Sequence, residues 1–421
     1  MCLNRDMPRE GTGKTSAGWR ISVYLFLVTA TFGFLQPFVP LYMASMGLDR
    51  TEIGLVTGVS AGTALLFQPL LGRLSDLWDR RLPFVFGSAL LAGFAYLGYP
   101  FARTTIDILI LTALGSNGIT YLQVAGGVLV GRMVRESHGG ATYASYRVWG
   151  SVGYILVSLL SGYFVRIPRE GEIARSMLDP LFRVGPLLFF LVALLALFLP
   201  DRRNAEGEAP ATKGPIPANL KRFLVAYFLY TIALYGASPY LSLYLKSLGA
   251  TGPWITGVFA GGVVIEVLVM TRSGALSDTW GRRPALAIAF LLLPLRLLLY
   301  IPATGPAWIA AVQSLHGLNF GIVGAVAVAF ANDMAPANAK GMGQARLAAA
   351  AGLAMAAGPM MMGVVSQHTS LRAMWGFAAA VAALAAMVLL FGVEDSHSSS
   401  QSIAQRYRWL HWLDAPPRKR D

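Results

Sequence analysis

Along nearly the whole chain, apolar stretches of 18 or more residues alternate with short breaks rich in charge, glycine or proline. Each stretch is long enough to cross, as a helix, a hydrocarbon layer about 30 Å thick. Twelve spans are predicted, at 20–44, 52–73, 83–101, 106–131, 144–166, 181–200, 220–245, 253–274, 284–302, 306–331, 344–367 and 371–392. The first is too long for the apolar core of a signal peptide and lacks a small-residue cleavage pattern, so it is read as a retained span. The expected class is all-α integral membrane protein, with no soluble domain.

Between Asp201 and Ala218 the chain reads DRRNAEGEAPATKGPIPA, a polar, proline-containing linker that divides six spans from six. The expected organisation is a cytoplasmic segment 1–19, a bundle 20–200, the linker 201–219, a second bundle 220–392 and a cytoplasmic tail 393–421. In the tail, SIAQRYRWLHWL (402–413) has the amphipathic spacing of a helix lying on the membrane surface. One short polar phrase occurs in both halves, after the second span of each: GRLSDLWDRR at 72–81 and GALSDTWGRR at 274–283. A phrase recurring at the same place in two consecutive units marks a duplicated bundle.

Composition agrees, with 55% hydrophobic residues, 13% charged and a mean hydropathy of +0.56. A net charge of +13 could suit nucleic acid, but its distribution points elsewhere. Most Lys and Arg residues fall on the side of the N-terminus, as expected if both termini are cytoplasmic. Loop 166–183 departs from this, with Arg166, Arg169, Arg175 and Arg183 on the outer side, partly offset by Glu170, Glu172 and Asp179. The single cysteine, Cys2, has no partner for an internal disulfide. GTGKTS at 11–16 lacks the first glycine of a phosphate loop, where Pro8 stands, so nucleotide binding is set aside. No cofactor or metal is expected.

A charge at the centre of a membrane helix costs a few kcal/mol, which makes the few that occur functional candidates. Glu266 lies mid-span in AGGVVIEVLVM, Arg296 in LLLPLRLLLY, and His316 begins HGLNFG. An acid, a fixed cation and an imidazole on three successive helices could converge on one cavity and carry a proton. A permanently paired ion bridge, with the histidine bonded to a carbonyl, is the structural alternative.

The repeated phrase resembles the loop signature of the major facilitator superfamily. Gly72, Asp76, Arg80 and Arg81 match it in the first copy, and Gly274, Asp278, Gly281, Arg282 and Arg283 in the second. Asp79 stands where a glycine is expected. The resemblance implies two six-helix bundles that rock around a central site, with these residues acting as a latch between conformations. LLFQPLLGRLSD (65–76) and YRVWGSVGY (146–154) look like segments of the lactose permease family, and SLHGLNFG and IEVLVM like its phenylpropionate permease branch. That likeness puts Arg147 and Tyr154 on substrate-binding positions and Arg296 and His316 on coupling positions. A proton-carrying glutamate of that family is replaced here by Asn319, leaving Glu266 as the acid. The fourth span supplies only the amides Asn117 and Gln123 where the family has an acid, so lactose itself is not the expected substrate.

The resulting expectation is a proton-coupled secondary transporter of the cell membrane, taking up a small polar or aromatic solute and working as a monomer. Drug efflux is the alternative. It is favoured if Met355, Met360, Met361 and Met362 face the cavity, and GLAMAAGPMMMG (352–363) faintly resembles a drug-antiporter element. A membrane-embedded enzyme finds no nucleophile–base pair or metal-ligand cluster to support it.

Overall fold

The computed structural model describes residues 11–78, 80–136, 143–199, 216–335 and 340–395. The first half comprises α1 (Gly11–Leu35), α2 (Val39–Ser45), α3 (Arg50–Leu77), α4 (Leu82–Leu97), α5 (Thr105–Glu136), α6 (Tyr143–Phe164), α7 (Arg175–Val184) and α8 (Pro186–Ala196). The second comprises α9 (Ala218–Ala237), α10 (Tyr240–Ser247), α11 (Gly252–Trp280), α12 (Arg282–Tyr300), α13 (Pro306–Met334), α14 (Lys340–His368) and α15 (Leu371–Gly392). Among the described residues ten helical segments are long and apolar enough to cross a membrane, and eleven if the bent pair α9–α10 is one span. The remaining predicted span, the fifth, is α6, which carries Arg147 near its start and packs between α1 and α11.

Three predicted spans are interrupted in the structure, each at a proline. Proline has no N–H to donate and its ring crowds the preceding turn. Pro37 separates α1 from α2, Pro239 lies at the 44° bend between α9 and α10, and Pro186 starts α8 directly after Gly185. α1 begins at Gly11, ahead of the predicted start at 20. Most of the linker and the surface helix expected at 402–413 lie outside the described residues.

The halves repeat helix by helix. In the first, α3 packs on α5, α5 on α4, α4 on α8, α8 on α1 and α1 on α6; in the second, α11 on α13, α13 on α12, α12 on α15, α15 on α9 and α9 on α14. The two lobes meet along α3 against α14 and α6 against α11, which are equivalent seams under the same repeat.

The end of the molecule away from the linker, here the far end, shows the duplication at atomic detail. Tyr42 donates its hydroxyl to the Tyr99 carbonyl at 3.1 Å, and Tyr244 donates to the Tyr300 carbonyl at 2.7 Å. Tyr99 then bonds Thr112, and Tyr300 bonds Gln313, each thirteen residues on. Ser45 and Ser247 each donate to the tyrosine carbonyl three residues back, at 2.7 Å. Gly47 (φ 92°) and Gly249 (φ 79°) follow, in the left-handed conformation that a Cβ disfavours. Phe182 stacks on Tyr99 and Trp375 packs edge-on to Tyr300, so each lobe has its own buried aromatic plug.

The lobes are drawn together at this end. A Cβ on Gly54 would strike the Pro359 carbonyl, one on Gly58 the Ala356 carbonyl, and one on Gly162 Thr256 of α11, so only glycine allows these backbones to approach. Tyr240 donates to the carbonyls of Arg50 and Pro359 at 3.0 and 2.9 Å. Arg50 of the first lobe donates to the Ser366 carbonyl at 2.7 Å, and Lys246 of the second to the Pro168 carbonyl at 2.6 Å. A cavity of about 750 Å³ remains between the lobes here, bordered by Asp49, Arg50, Arg169, Glu170, Lys246 and Gln367.

Candidate functional site

Two membrane helices, α12 and α13, carry the polar groups at the heart of the second lobe. Arg296 of α12 is 4% exposed, and a guanidinium in such a place must find acceptors or unfold its surroundings. One of its N–H groups lies 2.9 Å from His316 Nδ1 and 3.3 Å from Asn319 Oδ1, both on α13. Arginine only donates, so His316 Nδ1 accepts, which puts the proton of the neutral ring on Nε2. Asn319 is fully buried and uses its amide N–H on the Ala289 carbonyl at 2.7 Å. Two of its polar functions thus bridge α12 and α13.

Glu266 does not belong to this network, which corrects the expected pairing with Arg296. The residue that follows it, Val267, lines a small gap with Arg147 of α6, across the seam between the lobes. The reason lies in how α11 meets α13: Gly317 and Gly321 admit the α11 backbone at Glu266, so these two helices touch main chain to side without the acid between them. Arg147 itself is exposed and lines, with Val267 and Met270 of α11, a small gap between α6 and α11. The structure therefore sets Glu266 and Arg147 on facing helices of opposite lobes, and brings Arg296, His316 and Asn319 together within one.

Tyr154 donates to Gln36 Oε1 at 3.2 Å, at the break between α1 and α2, and its ring lies 6.1 Å from that of Phe32. On the other lobe Tyr235 and Phe320 meet edge to face at 5.5 Å, and Phe320 lies 4.4 Å from His316. Sequence reading missed Gln36, Phe32, Tyr235 and Phe320. Apolar or amide residues within apolar spans carry no signal until the helices are assembled.

The two amides of α5 take different places. Asn117 is buried and donates to Thr63 Oγ1 of α3 at 2.6 Å and to the Ala113 carbonyl at 2.7 Å, fastening α3 to α5 inside the first lobe. Gln123 is exposed.

The repeated phrases lie at the linker end. Asp76 pairs with Arg81 at 3.3 Å, joining the end of α3 to the start of α4. In the second copy Arg282 pairs with Asp278 and, at 3.2 Å, with Asp333 at the end of α13. Arg283 is buried, takes the Leu390 carbonyl, and its backbone N–H donates to Asp395 at 3.1 Å. These contacts tie each phrase to its own lobe. Gly281 stands at φ 99°; Asp79, its counterpart, lies outside the described residues. Arg80 is exposed, and Gly72 and Gly274 have open space where a Cβ would project. Of the methionines, Met362 is buried, Met360 and Met361 are partly exposed, and Met360 touches Gly58 across the α3–α14 seam.

The comparisons place this architecture. The chain is 27% identical over 391 residues to the multidrug resistance protein MdtG of Proteus mirabilis (strain HI4320), covering 86% of this chain and 93% of that one. It is 25% identical over 323 residues to the maltose permease of Geobacillus stearothermophilus, covering 75% and 78%. Among solved structures, a variant of the nucleoside transporter NupG superposes with a TM-score of 0.75 at 15% identity, covering 89% of this chain and 99% of that one. A bacterial homolog of the human lysosomal transporter Spinster, in an inward-facing and unoccupied conformation, superposes with a TM-score of 0.68 at 11% identity, covering 90% and 95%. At such identities the two structures speak for the fold alone. The model of the MFS_1 like family matches residues 18–377, which span both lobes and both copies of the phrase. This multi-pass membrane chain therefore belongs to the MFS_1 like family, within the major facilitator superfamily of transporters.

Proposed function

We propose that the protein is a proton-coupled secondary transporter of the cell membrane that carries a small polar or aromatic solute inward by alternating access. The observation that supports this most is Glu266, a half-buried carboxylate of one lobe at the α6–α11 seam, where Arg147 of the other lobe lines a small gap with the next residue, Val267. Rocking of the lobes changes how close Glu266 comes to Arg147, and the carboxyl exchanges its proton with that motion. Coupling thus comes from the relative motion of α6 and α11. In this reading Arg147, Tyr154 and Gln36 meet the solute. Arg296, His316 and Asn319 hold α12 and α13 in register behind the site, and neutral His316 offers an Nε2–H donor to it.

The test is transport in vesicles with an imposed pH gradient. Glu266→Gln is expected to abolish accumulation driven by protons while exchange of solute down its own gradient continues. Undiminished accumulation in that variant removes Glu266 from the mechanism. Arg147→Gln should move the pH profile of transport and leave Arg296→Gln the milder defect in coupling; the reverse order contradicts the assignment.

Proton-driven efflux of drugs is the second reading, favoured by the likeness to MdtG and by Met360 at the α3–α14 seam. Solute entry that alkalinises the medium supports uptake. Dye extrusion that depends on an inward proton gradient supports efflux.

A further inference from the structure

Arg50 and Arg169 of the first lobe and Lys246 of the second border the far-end cavity of about 750 Å³. Among the described residues none of these cations is in an ion pair. Arg50 Nη1 donates to the Ser366 carbonyl at 2.7 Å, and Lys246 Nζ to the carbonyls of Pro168 and Arg169 at 2.6 and 3.3 Å. A guanidinium and an ammonium carry more N–H groups than these bonds use. The Arg169 side chain, which is exposed, has no hydrogen-bond partner among the described residues. Neutral carbonyls leave the positive charges uncompensated, so the cavity keeps the field of cations from both lobes.

The acids on its border do not balance that field. Asp49 caps α3, accepting from the Glu52 N–H at 2.8 Å, where the helix N-terminus offsets its charge. Glu170 alone remains against the three cations, and it is exposed. With Ser247 and Gln367, also exposed, it keeps the cavity open to solvent at the far end. Leu48, Ile53 and Leu371, all buried, add an apolar wall. Charged donors beside an apolar wall, in a volume within the roughly 300–1,000 Å³ usual for small-molecule sites, fit an organic anion better than a bare one.

We propose that this cavity binds a small organic dianion arriving from the far side, its negative groups on Arg50, Arg169 and Lys246 and its apolar middle against Leu48, Ile53 and Leu371. None of its lining residues belongs to the gap around Arg147. Because the cations belong to different lobes, a dianion that meets Arg50 or Arg169 with one end and Lys246 with the other binds best while the far end is shut, and it shifts the lobes toward that arrangement. The ligand is thus a brake on opening, whatever solute the protein carries.

Adipate, hexanoate and adipamide share one chain length and carry, respectively, two, one and no negative groups at neutral pH. Their binding to the full chain in phosphatidylcholine nanodiscs is measured by titration calorimetry. Adipate is expected to bind about tenfold more tightly than hexanoate, and adipamide not at all. Arg169→Gln should weaken adipate about tenfold, whereas Glu170→Gln should tighten it about threefold by removing a like charge. A general disturbance of the loop would move both variants the same way. Nitroxide labels on Arg103→Cys and Thr304→Cys, exposed at the far ends of the two lobes, report the distance between them in a background with Cys2→Ser. Saturating adipate should narrow that distance distribution toward its short end. Adipamide binding as well as adipate, absence of adipate binding, or indifference to Arg169→Gln overturns the site. Label distances that ignore bound adipate overturn the brake. None of these results bears on the coupling assigned to Glu266, and failure of that coupling in vesicles leaves the expected adipate binding unchanged.

Discussion

Arg296 carries a permanent charge in a place 4% exposed, and its two acceptors, His316 Nδ1 and Asn319 Oδ1, are what make that tolerable. Removing an acceptor should therefore harm more than removing the charge, because a buried cation without partners keeps its full desolvation cost. Asn319→Leu is expected to destabilise by about 2–3 kcal/mol, and Arg296→Met by less, in unfolding followed in detergent micelles. The opposite ranking would mean that Arg296 finds acceptors elsewhere. Glycine gives a second residue-scale contrast. Gly47 and Gly72 both have open space where a methyl group would project, but Gly47 stands at φ 92° and Gly72 lies within α3. Gly47→Ala should cost about 1 kcal/mol of backbone strain, and Gly72→Ala should be neutral or slightly stabilising. Equal effects of the two would show that the left-handed turn is not what Gly47 provides.

Helices bring these residues into register through close backbone approaches. The α3–α14 seam uses Gly54 and Gly58 of one lobe against Ala356 and Pro359 of the other, and the equivalent α6–α11 seam uses Gly162 against Thr256. Small residues allow contact without bulky interdigitation, so a seam of this kind can part and re-form. Two reciprocal clasps then hold the far end shut, Arg50 on the Ser366 carbonyl and Lys246 on the Pro168 carbonyl. Each is a charge-assisted bond between lobes and near the surface, where such bonds are worth about 1 kcal/mol. Replacing both, as Arg50→Gln with Lys246→Met, should open this end in a larger fraction of molecules. Ser366→Cys, buried at the Arg50 clasp, in a background with Cys2→Ser, reports it: alkylation by a membrane-impermeant reagent should speed up several-fold. An unchanged rate would show that the glycine seams close the far end without the clasps.

At the scale of the molecule, the repeat makes two lobes with the same internal packing order and lays equivalent helices along both seams. The repeated phrases stiffen the linker end of each lobe, through Asp76–Arg81 in one and through Arg282 with Asp278 and Asp333 in the other. Rigid ends let each lobe turn as a body. Loss of both aspartates, in Asp76→Asn with Asp278→Asn, is expected to lower the turnover rate more than it raises KM, in transport measured across substrate concentrations. A defect confined to KM would assign the phrases to binding instead.

The sequence by itself determined the membrane class, the order of the spans, the division into halves and the repeat. These follow from long-range apolarity and from phrases short enough to see, both properties of consecutive residues. It also singled out Glu266, Arg296 and His316, because charge in an apolar run is visible wherever the helix points. Which of them touch was decided by the fold. A helix places neighbours about 100° apart around its axis, so the partner of Glu266 depends on how α11 is turned against α13 and α6. Gly317 and Gly321 admit the α11 backbone at Glu266 to α13, and Arg296 is left with His316 and Asn319. The far-end tyrosine repeat and the ring pairs Phe32–Tyr154 and Tyr235–Phe320 belong with these decisions, because each rests on contacts between residues far apart in the chain that only helix packing creates.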